Sequence, residues 1–231
     1  MNVCLPKCHK WPPSSAKKVI ALLYNLVQAS GWIYAAASLW KVGGSKGPHD
    51  FSERVGALAW PTVGPIVVFL QTFAFVEILL SLVGVIPSNI VSVALQLVVR
   101  NIVLLLTVNR HHGVQLHLST FLFLLAWIIT ECIRFPWLIF KVVGEPPAAL
   151  SNARYILPLV LYPLGGVGEG WGMYRAMGIA SGDILFMNVS LAQIIKYVYF
   201  PLYVPGFCFL YVKAAKSCMK MTSGGEKEKR S

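Results

Sequence analysis

Long apolar runs alternate with short polar segments along this chain of 231 residues. A helix needs about 17–25 apolar residues to cross roughly 30 Å of hydrocarbon. Six runs meet that length, and each predicts a membrane-spanning helix. Their predicted bounds are 19–40, 66–86, 88–108, 118–140, 153–173 and 191–213. Pro61 and Pro65 interrupt the apolar stretch that leads into the second run, so residues 56–65 are interpreted as an interfacial or re-entrant segment.

The composition agrees with this pattern. Hydrophobic residues make up 56% of the chain, charged residues 13%, and the mean hydropathy is +0.65, which exceeds what soluble domains of this size show. We therefore expect an all-α integral membrane protein, a six-transmembrane-helix bundle over residues 19–213 with tails at 1–18 and 214–231. The sequence has no internal repeat, so it gives no support to an inverted-repeat transporter.

The net charge of +11 lies mostly outside the predicted bundle. Basic residues gather before the first span and after the last, at Lys7, Lys10, Lys17, Lys18, Lys213, Lys216, Lys220, Lys227, Lys229 and Arg230. Positive residues accumulate on the cytosolic side, and an even number of spans places both termini there. The charge is thus explained by topology, and we expect no nucleic-acid partner.

The two tails contain further short signals. Lys229 and Lys227 are third and fifth from the C-terminus, the arrangement of a dilysine retrieval signal, which predicts the endoplasmic reticulum membrane. The alternative is an ordinary solvated tail. Cys4 and Cys8 have the spacing of a metal-site fragment or of a lipidation site, but the sequence establishes neither, and we assign neither a role in the function.

Ionisable residues at membrane depth are functional candidates once structural pairs are set aside. They are Glu77, Arg100, Glu131, Arg134, Glu169 and Lys196. Glu131 and Arg134 are three residues apart on one helix and are expected to pair. Gln96 and Arg100 share a helix face, and Glu77 is the expected partner of Arg100.

Glu169 and Lys196 then remain without an assigned partner. Counting the helical rise places both at similar depth, so Lys196 is a candidate ion-pair partner of Glu169. Lys196 is equally able to extend its ammonium to the lumenal interface. Glu169 is therefore either half of a structural ion pair or a chemical group.

The fifth predicted span has an unusual pattern around Glu169. Tyr155, Tyr162 and Glu169 recur every seven residues, so they share one helix stripe. Tyr162 and Glu169 are about 10 Å apart along the axis, close enough for their tips to bracket a small reacting group. Five glycines lie between positions 165 and 172. They indicate either close helix packing or a groove for an acyl chain.

A tyrosine and a carboxylate facing such a groove suit the removal of water from a β-hydroxy thioester. A base takes the α-proton while an acid protonates the departing hydroxyl. This elimination needs no metal and no redox cofactor. The sequence lacks a Walker loop, HExxH and GxSxG, and we expect neither a metal nor a cofactor.

Four stretches resemble the 3-hydroxyacyl-CoA dehydratases of very-long-chain fatty acid elongation, a family also called protein tyrosine phosphatase-like proteins. They read "LYNLVQASGW", "LQTFAFVEILLSLVGVI", "WIITECIRFPWLIF" and "RYILPLVLYPLGGVGE". The resemblance runs from about residue 20 to about residue 213. A phosphatase activity is not expected, because no cysteine is followed by arginine at the C-x5-R spacing.

The resemblance implies a six-span enzyme of the endoplasmic reticulum that converts 3-hydroxyacyl-CoA to trans-2-enoyl-CoA, the third step of the elongation cycle. It places the catalytic pair on Tyr162 and Glu169. Supporting polar or structural positions fall on Glu77, Gln96, Arg100, Arg134, Arg154 and Gly165.

The role of each catalytic residue is a separate question. We favour Glu169 as the base and Tyr162 as the proton donor, because an un-ionised phenol is the better acid, and the reverse assignment stays open. Lys141 and Arg154, at the predicted cytosolic mouth, are candidate contacts for CoA phosphates, or ordinary positive-inside residues.

The partners expected are long-chain 3-hydroxyacyl-CoA, membrane lipids and the other elongation enzymes, namely the elongase, the ketoacyl reductase and the enoyl reductase. Two alternatives belong to other functional classes. One is a non-catalytic membrane scaffold of the same fold. The other is a small transporter, for which polar residues should line several helices, whereas the sequence pattern concentrates them on the fifth span.

Overall fold

The computed structural model describes residues 14–44, 51–186 and 189–229, with side chains over 14–44, 55–180, 182–184 and 189–219. Cys4 and Cys8 lie outside the described residues, as do the side chains of Lys227 and Lys229. The α-helices are α1 (Ser15–Gly44), α2 (Phe51–Phe73), α3 (Phe75–Leu82), α4 (Ile90–Asn101), α5 (His112–Gln115), α6 (Leu118–Val143), α7 (Ala148–Ile156), α8 (Pro158–Ile179), α9 (Leu191–Ile194) and α10 (Phe200–Lys229).

Short irregular elements complete the chain. Helix α4 continues as a π-helical segment, Ile102–Val108, and a second π-helical segment, Ile195–Tyr199, joins α9 to α10. After α8 come a 3₁₀ turn, Ala180–Gly182, and a two-stranded antiparallel hairpin of β1 (Ile184–Phe186) and β2 (Val189–Ser190). The hairpin is the departure from the all-α prediction, because its strands are too short to show an alternating pattern in the sequence.

Helix α6 is the centre of the bundle. It packs most extensively against α8 and α1, and also against α2. Its side chains Phe123, Trp127 and Phe135 are fully buried, as is Trp32 of α1. Burying aromatic surface of this size is the main favourable term for packing helices in water, and inside a bilayer the gain comes from close contact instead.

Five helices in the described part of the chain are long and apolar enough to cross a membrane. They are Ser15–Gly44, Val55–Leu82, Ile90–Val108, Leu118–Val143 and Leu191–Met219. The chain is therefore that of a multi-pass membrane protein. The predicted fifth span, 153–173, falls on α7 and α8, which are helical but less apolar because of their glycines, prolines and Glu169.

Residues 56–65 are not an interfacial or re-entrant segment. They lie within the continuous helix α2, which contains both Pro61 and Pro65. Val63 and Val67 on this helix are completely buried, so its face belongs to the bundle core. Membrane helices tolerate proline because neighbouring helices compensate for the lost backbone hydrogen bond.

The start of the first helix and the end of the last apolar span lie at the same end of the bundle. Lys17 Nζ, at the start of α1, donates to the carbonyl of Val83 at 3.0 Å, in the turn between α3 and α4. Lys213 Nζ, midway along α10 and toward the end of the apolar span Leu191–Met219, donates to Ser92 Oγ near the start of α4 at 2.6 Å. Gly84 ends this turn with a φ of +67°, which glycine adopts without steric cost. The first and last helices therefore have their terminal ends on the same face.

The opposite face is identified by a contact between two connecting segments. His111 Nε2, just before α5, lies 3.3 Å from Asp183 Oδ2, just after α8. Tyr155, just before α8, lies in a cavity that Lys213 also lines, at the first face. Helix α8 therefore runs from one face of the bundle to the other.

Candidate active site

Four charged side chains form a continuous buried network between α3, α4 and α6. Arg100 Nη1 donates to Glu131 Oε1 at 2.5 Å, and Arg134 Nη1 donates to Glu131 Oε2 at 3.0 Å. Arg134 also donates to both carboxylate oxygens of Glu77. Two positive and two negative groups thus neutralise one another away from water, where an unpaired charge is costly.

The sequence predicted this network only in part. The pairing of Glu131 with Arg134 is confirmed. The predicted pairing of Glu77 with Arg100 is wrong, because Glu77 pairs with Arg134 and Arg100 with Glu131. Counting residues along each helix predicts which charges lie at the same depth in the bundle. Which of them form ion pairs also depends on which helices are neighbours.

Two residues on α1 extend the network. Tyr24 Oη donates to Glu77 Oε2 at 3.4 Å, and Gln28 Nε2 lies 3.4 Å from Tyr24 Oη. Gln28 also accepts from Trp32 Nε1 at 3.0 Å. These residues come from the stretch "LYNLVQASGW", so that motif holds the first helix to the buried charges.

Glu169 receives its hydrogen bond from a tryptophan. Trp127 Nε1 on α6 donates to Glu169 Oε1 at 2.7 Å, and both residues are buried. The guanidinium carbon of Arg100 lies 4.7 Å from the centre of the Trp127 ring. Arg100 therefore stacks on the tryptophan that holds the carboxylate, and it links Glu169 to the charge network.

Lys196 lies elsewhere. Its side chain is exposed, and its Nζ is 5.2 Å from the centre of the Tyr197 ring. Within the described residues, Glu169 and Lys196 form no ion pair. Glu169 is thus a buried carboxylate that a neutral donor holds in place.

Glu169 and Tyr162 line the same cleft. Its volume is about 70 Å³, and its walls come from α4, α6, α8 and α10. Apolar side chains make up much of the lining, among them Leu95, Leu161 and Phe207. Gly165, Arg100 and Gln96 also face it. Two of the three residues of the predicted stripe therefore face a largely apolar space inside the bundle, whereas Tyr155 lies on α7 and lines a different cavity.

The glycines of α8 give close helix packing at one position and line the cleft at others. A Cβ at Gly168 would lie 2.8 Å from the backbone nitrogen of Phe123 and 3.0 Å from the carbonyl of Ser119, so this glycine lets α8 approach α6. Gly165 and Gly166 line the cleft. At Gly170 nothing lies within 4 Å of such a Cβ.

A second, larger cavity of about 660 Å³ adjoins the cleft. Tyr162, Gln96 and Thr130 line both spaces, so Tyr162 stands at the boundary between them. Lys141 and Arg154 line the larger cavity, together with Glu77 and Arg134. The polar lining comes from α3, α4, α6, α7, α8 and α10, so the prediction that polar groups concentrate on the fifth span is wrong.

Two lining residues were not singled out from the sequence. Tyr203 on α10 lines the cleft and donates from Oη to the carbonyl of Gly166 at 3.1 Å. Trp127 lies four residues before Glu131 and seven before Arg134, on the same side of α6. That spacing is the signal for Trp127. The signal for Tyr203 is an aromatic stripe with a spacing of four residues, in which its ring contacts those of Tyr199 and Phe207.

Comparisons with known proteins agree with this arrangement. The model of the family described as "Protein tyrosine phosphatase-like protein, PTPLA" matches residues 71–224, more than half of the chain. That range contains the charge network, Trp127, Tyr162 and Glu169. No solved structure matches the chain significantly.

Three similar proteins bear the name very-long-chain (3R)-3-hydroxyacyl-CoA dehydratase. Dehydratase 2 of Mus musculus is 32% identical over 165 residues, 71% of this chain and 62% of that protein. Dehydratase 1 of Canis lupus familiaris is 28% identical over 87% of this chain and 81% of that protein. The dehydratase hpo-8 of Caenorhabditis elegans is 27% identical over 89% of this chain and 95% of that protein. This chain belongs to the protein tyrosine phosphatase-like (PTPLA) family.

Proposed function

We propose that this protein is a hydro-lyase that dehydrates (3R)-3-hydroxyacyl-CoA to trans-2-enoyl-CoA, the third step of very-long-chain fatty acid elongation. The observation that carries the proposal is the shared cleft of Tyr162 and Glu169, in which a tryptophan N–H fixes the carboxylate. The names of the similar proteins support the same reaction.

In the proposed mechanism, Glu169 takes the α-proton of the thioester and Tyr162 protonates the departing β-hydroxyl. The Cα–H and Cβ–O bonds break, the Cα=Cβ double bond forms, and one water leaves. The proton held by Glu169 then returns to Tyr162 through water, which restores both groups for the next turnover. If Tyr162 is the base and Glu169 the acid, the same bonds of the substrate break and form. No metal or cofactor enters these steps, and the CoA belongs to the substrate.

The hydrogen bond from Trp127 favours Glu169 as the base. It engages one lone pair of Oε1, and an ionised carboxylate has further lone pairs able to take the α-proton. Tyr162 lies toward the larger cavity, through which water has a route to leave. Glu169 is 11 residues beyond Pro158, or roughly 16 Å along α8, so the thioester has to enter the bundle to reach it.

We also propose that α8 is a sixth membrane-crossing helix, in an enzyme of the endoplasmic reticulum with both termini in the cytosol. Lys17 and Lys213 contact the same α3–α4 region, and chain ends on one face require an even number of crossings. Five apolar helices and α8 make six. The basic residues at both ends support the cytosolic side.

The proposed contacts with the substrate are divided between the apolar cleft and the larger cavity. The acyl chain lies toward the apolar cleft and the surrounding lipid, and Lys141 and Arg154 contact the CoA end in the larger cavity. Glu77, Gln96, Arg100, Arg134 and Gly165 support the site. The elongase, the ketoacyl reductase and the enoyl reductase are the proposed partner enzymes, because they act on the same acyl chain. Lys227 and Lys229 form the proposed retrieval signal.

The experiment that tests the function is turnover of a long-chain 3-hydroxyacyl-CoA by the purified protein in detergent. We expect Tyr162→Phe and Glu169→Gln each to lower kcat by at least about 100-fold, the scale of general acid–base catalysis. Tyr174→Phe is the matched control, since this tyrosine is on the same helix and largely exposed. Its rate should equal that of the wild type.

An inactive wild type, or full activity in both folded variants, would contradict the enzyme proposal. An inactive but correctly folded protein that binds the elongation enzymes would favour the membrane scaffold. Solute flux into liposomes containing the protein would favour the transporter instead.

A further inference from the structure

The larger cavity contains cations that the buried network does not neutralise. Arg134 pairs with Glu77 and Glu131, which leaves Lys141, Arg154 and Lys213 among the lining groups. Within the described part of the chain, none of these three forms an ion pair with a carboxylate. Glu145 is the remaining acidic residue of the lining, and it is exposed. The cavity therefore carries an excess of positive charge.

The three cations come from three helices. Lys141 is on α6, Arg154 on α7 and Lys213 on α10, so the fold rather than a local run of sequence brings them together. Lys141 Nζ lies 5.6 Å from the centre of the Trp137 ring, and Lys213 Nζ donates to Ser92 Oγ. Arg154 is half-buried and makes no side-chain hydrogen bond to another described residue. A half-buried guanidinium without an acceptor favours an anion.

The size and position of the cavity narrow the choice of anion. Its volume of about 660 Å³ is far more than a thioester group needs. It lies on the face of the bundle where α1 begins and where Lys213 contacts Ser92, and it adjoins the catalytic cleft at Tyr162. A ligand that fills it is large, polyanionic and joined to the group reacting in the cleft.

We propose that this cavity is the subsite for the phosphate-bearing nucleotide end of the acyl-CoA, held by Arg154, Lys141 and, in addition, Lys213. The proposal rests on the proposed function. Lys213 exchanges Ser92 Oγ for a phosphate oxygen when the substrate binds, so α10 contributes a contact at the nucleotide end as well as Tyr203 in the cleft. The pantetheine arm passes Tyr162 and carries the thioester to Glu169.

The test compares two substrates with the same acyl group, 3-hydroxyacyl-CoA and 3-hydroxyacyl-pantetheine. The second lacks every phosphate. We expect Lys213→Gln and Arg154→Gln each to raise the KM for the CoA ester about ten-fold, the effect of losing one charged hydrogen bond. The KM for the pantetheine ester should stay within two-fold of the wild-type value, because the lost charge has no partner on that substrate.

Lys216→Gln is the matched control. Lys216 is on the same helix, three residues beyond Lys213, is exposed, and does not line the cavity. It removes the same charge and should leave both KM values unchanged. Two results would contradict the proposed subsite. One is an equal rise in KM for both esters in Lys213→Gln and Arg154→Gln, and the other is an equal rise in KM for the CoA ester in Lys216→Gln.

Direct binding separates this proposal from the proposed function. Titration of the purified protein with free CoA, and with adenosine 3′,5′-bisphosphate, should show binding that Lys213→Gln and Arg154→Gln each weaken about ten-fold. Binding without turnover would reject the dehydratase and keep the subsite. Turnover without binding of either compound would reject the subsite alone.

The headgroups of membrane lipids at this face of the bundle also carry phosphate, so they are an alternative ligand for the cavity. The titrations are therefore repeated in nanodiscs of neutral lipid and in nanodiscs that contain phosphatidic acid. Binding of CoA, and its weakening by Lys213→Gln and Arg154→Gln, should be visible in neutral lipid as well. If the effect of the variants appears only with phosphatidic acid, the cavity is a headgroup site and the proposal is wrong.

Discussion

At the residue scale, the geometry of Glu169 depends on Trp127. The indole N–H is the donor to Oε1, and the ring is covered by Arg100. The nitrogen of one side chain thus fixes one oxygen of a carboxylate that lines the cleft. We infer that Trp127 is a positioning residue, since it acts on the substrate through Glu169.

Replacing Trp127 with phenylalanine tests this role. The variant keeps an aromatic ring in the core but removes the donor, so we expect kcat to fall about 10–100-fold while KM changes less. The pH profile of kcat should also shift, because the carboxylate loses a hydrogen bond that favours its charged form. Trp40→Phe, at a position that is 84% exposed, is the control. An unchanged pH profile would contradict the positioning role.

The sequence predicted which residues belong to the candidate site better than it predicted which side chains contact one another there. Tyr162 and Glu169 were predicted from their seven-residue spacing, which is a property of one helix, and the structure gives them one cleft. Trp127 was not singled out, because a tryptophan in an apolar run has the pattern of a packing residue. Its role depends on how α6 is turned toward α8, and no spacing within either helix contains that information.

At the element scale, the contact of α6 with α8 sets the width of the cleft. Gly168 is the closest point of this contact, where a side chain would meet backbone atoms of Phe123 and Ser119. Backbone atoms cannot rotate away as a side chain can. Any added atom at Gly168 therefore has to separate the two helices that hold Trp127 and Glu169.

Gly168→Ala and Gly170→Ala form a matched pair for this contact. We expect Gly168→Ala to destabilise the bundle by about 1–3 kcal/mol through overpacking, with a lower Tm in detergent. Gly170→Ala, which has open space, should leave the Tm unchanged or raise it slightly, because alanine is the better helix former. Equal melting temperatures for the two variants would contradict the close-packing role of Gly168.

The helices themselves were largely predictable. Apolar length identifies the crossing elements, and the bounds of α6 and of the segment Ile90–Val108 lie close to those predicted. The error at Pro61 and Pro65 arose because proline ends helices in water, whereas α2 is supported by its neighbours. Helix α8, the proposed sixth span, does not stand out by hydropathy because glycines and Glu169 occupy positions that are apolar in the other spans.

At the scale of the whole molecule, the proposed crossing of α8 decides on which side of the membrane each connection lies. In sealed microsomes, an epitope inserted after Glu145 should be cleaved by added protease, and an epitope inserted after Gly182 should be protected. The reason is that α8 separates these two segments onto opposite faces of the bundle. Tags at both termini should be cleaved as well. Cleavage at both inserted epitopes would show that α8 does not cross.

The buried charge network also constrains how the chain is made. Glu77 and Arg100 precede their partners on α6, since Glu77 is separated from Arg134 by 57 positions and Arg100 from Glu131 by 31. During synthesis both charges emerge from the ribosome before anything can neutralise them. We therefore expect the early helices to stay near the translocation channel until α6 arrives, because their release into lipid then no longer exposes an unpaired charge. On this expectation, several helices of this protein enter the membrane together rather than by a succession of independent insertions.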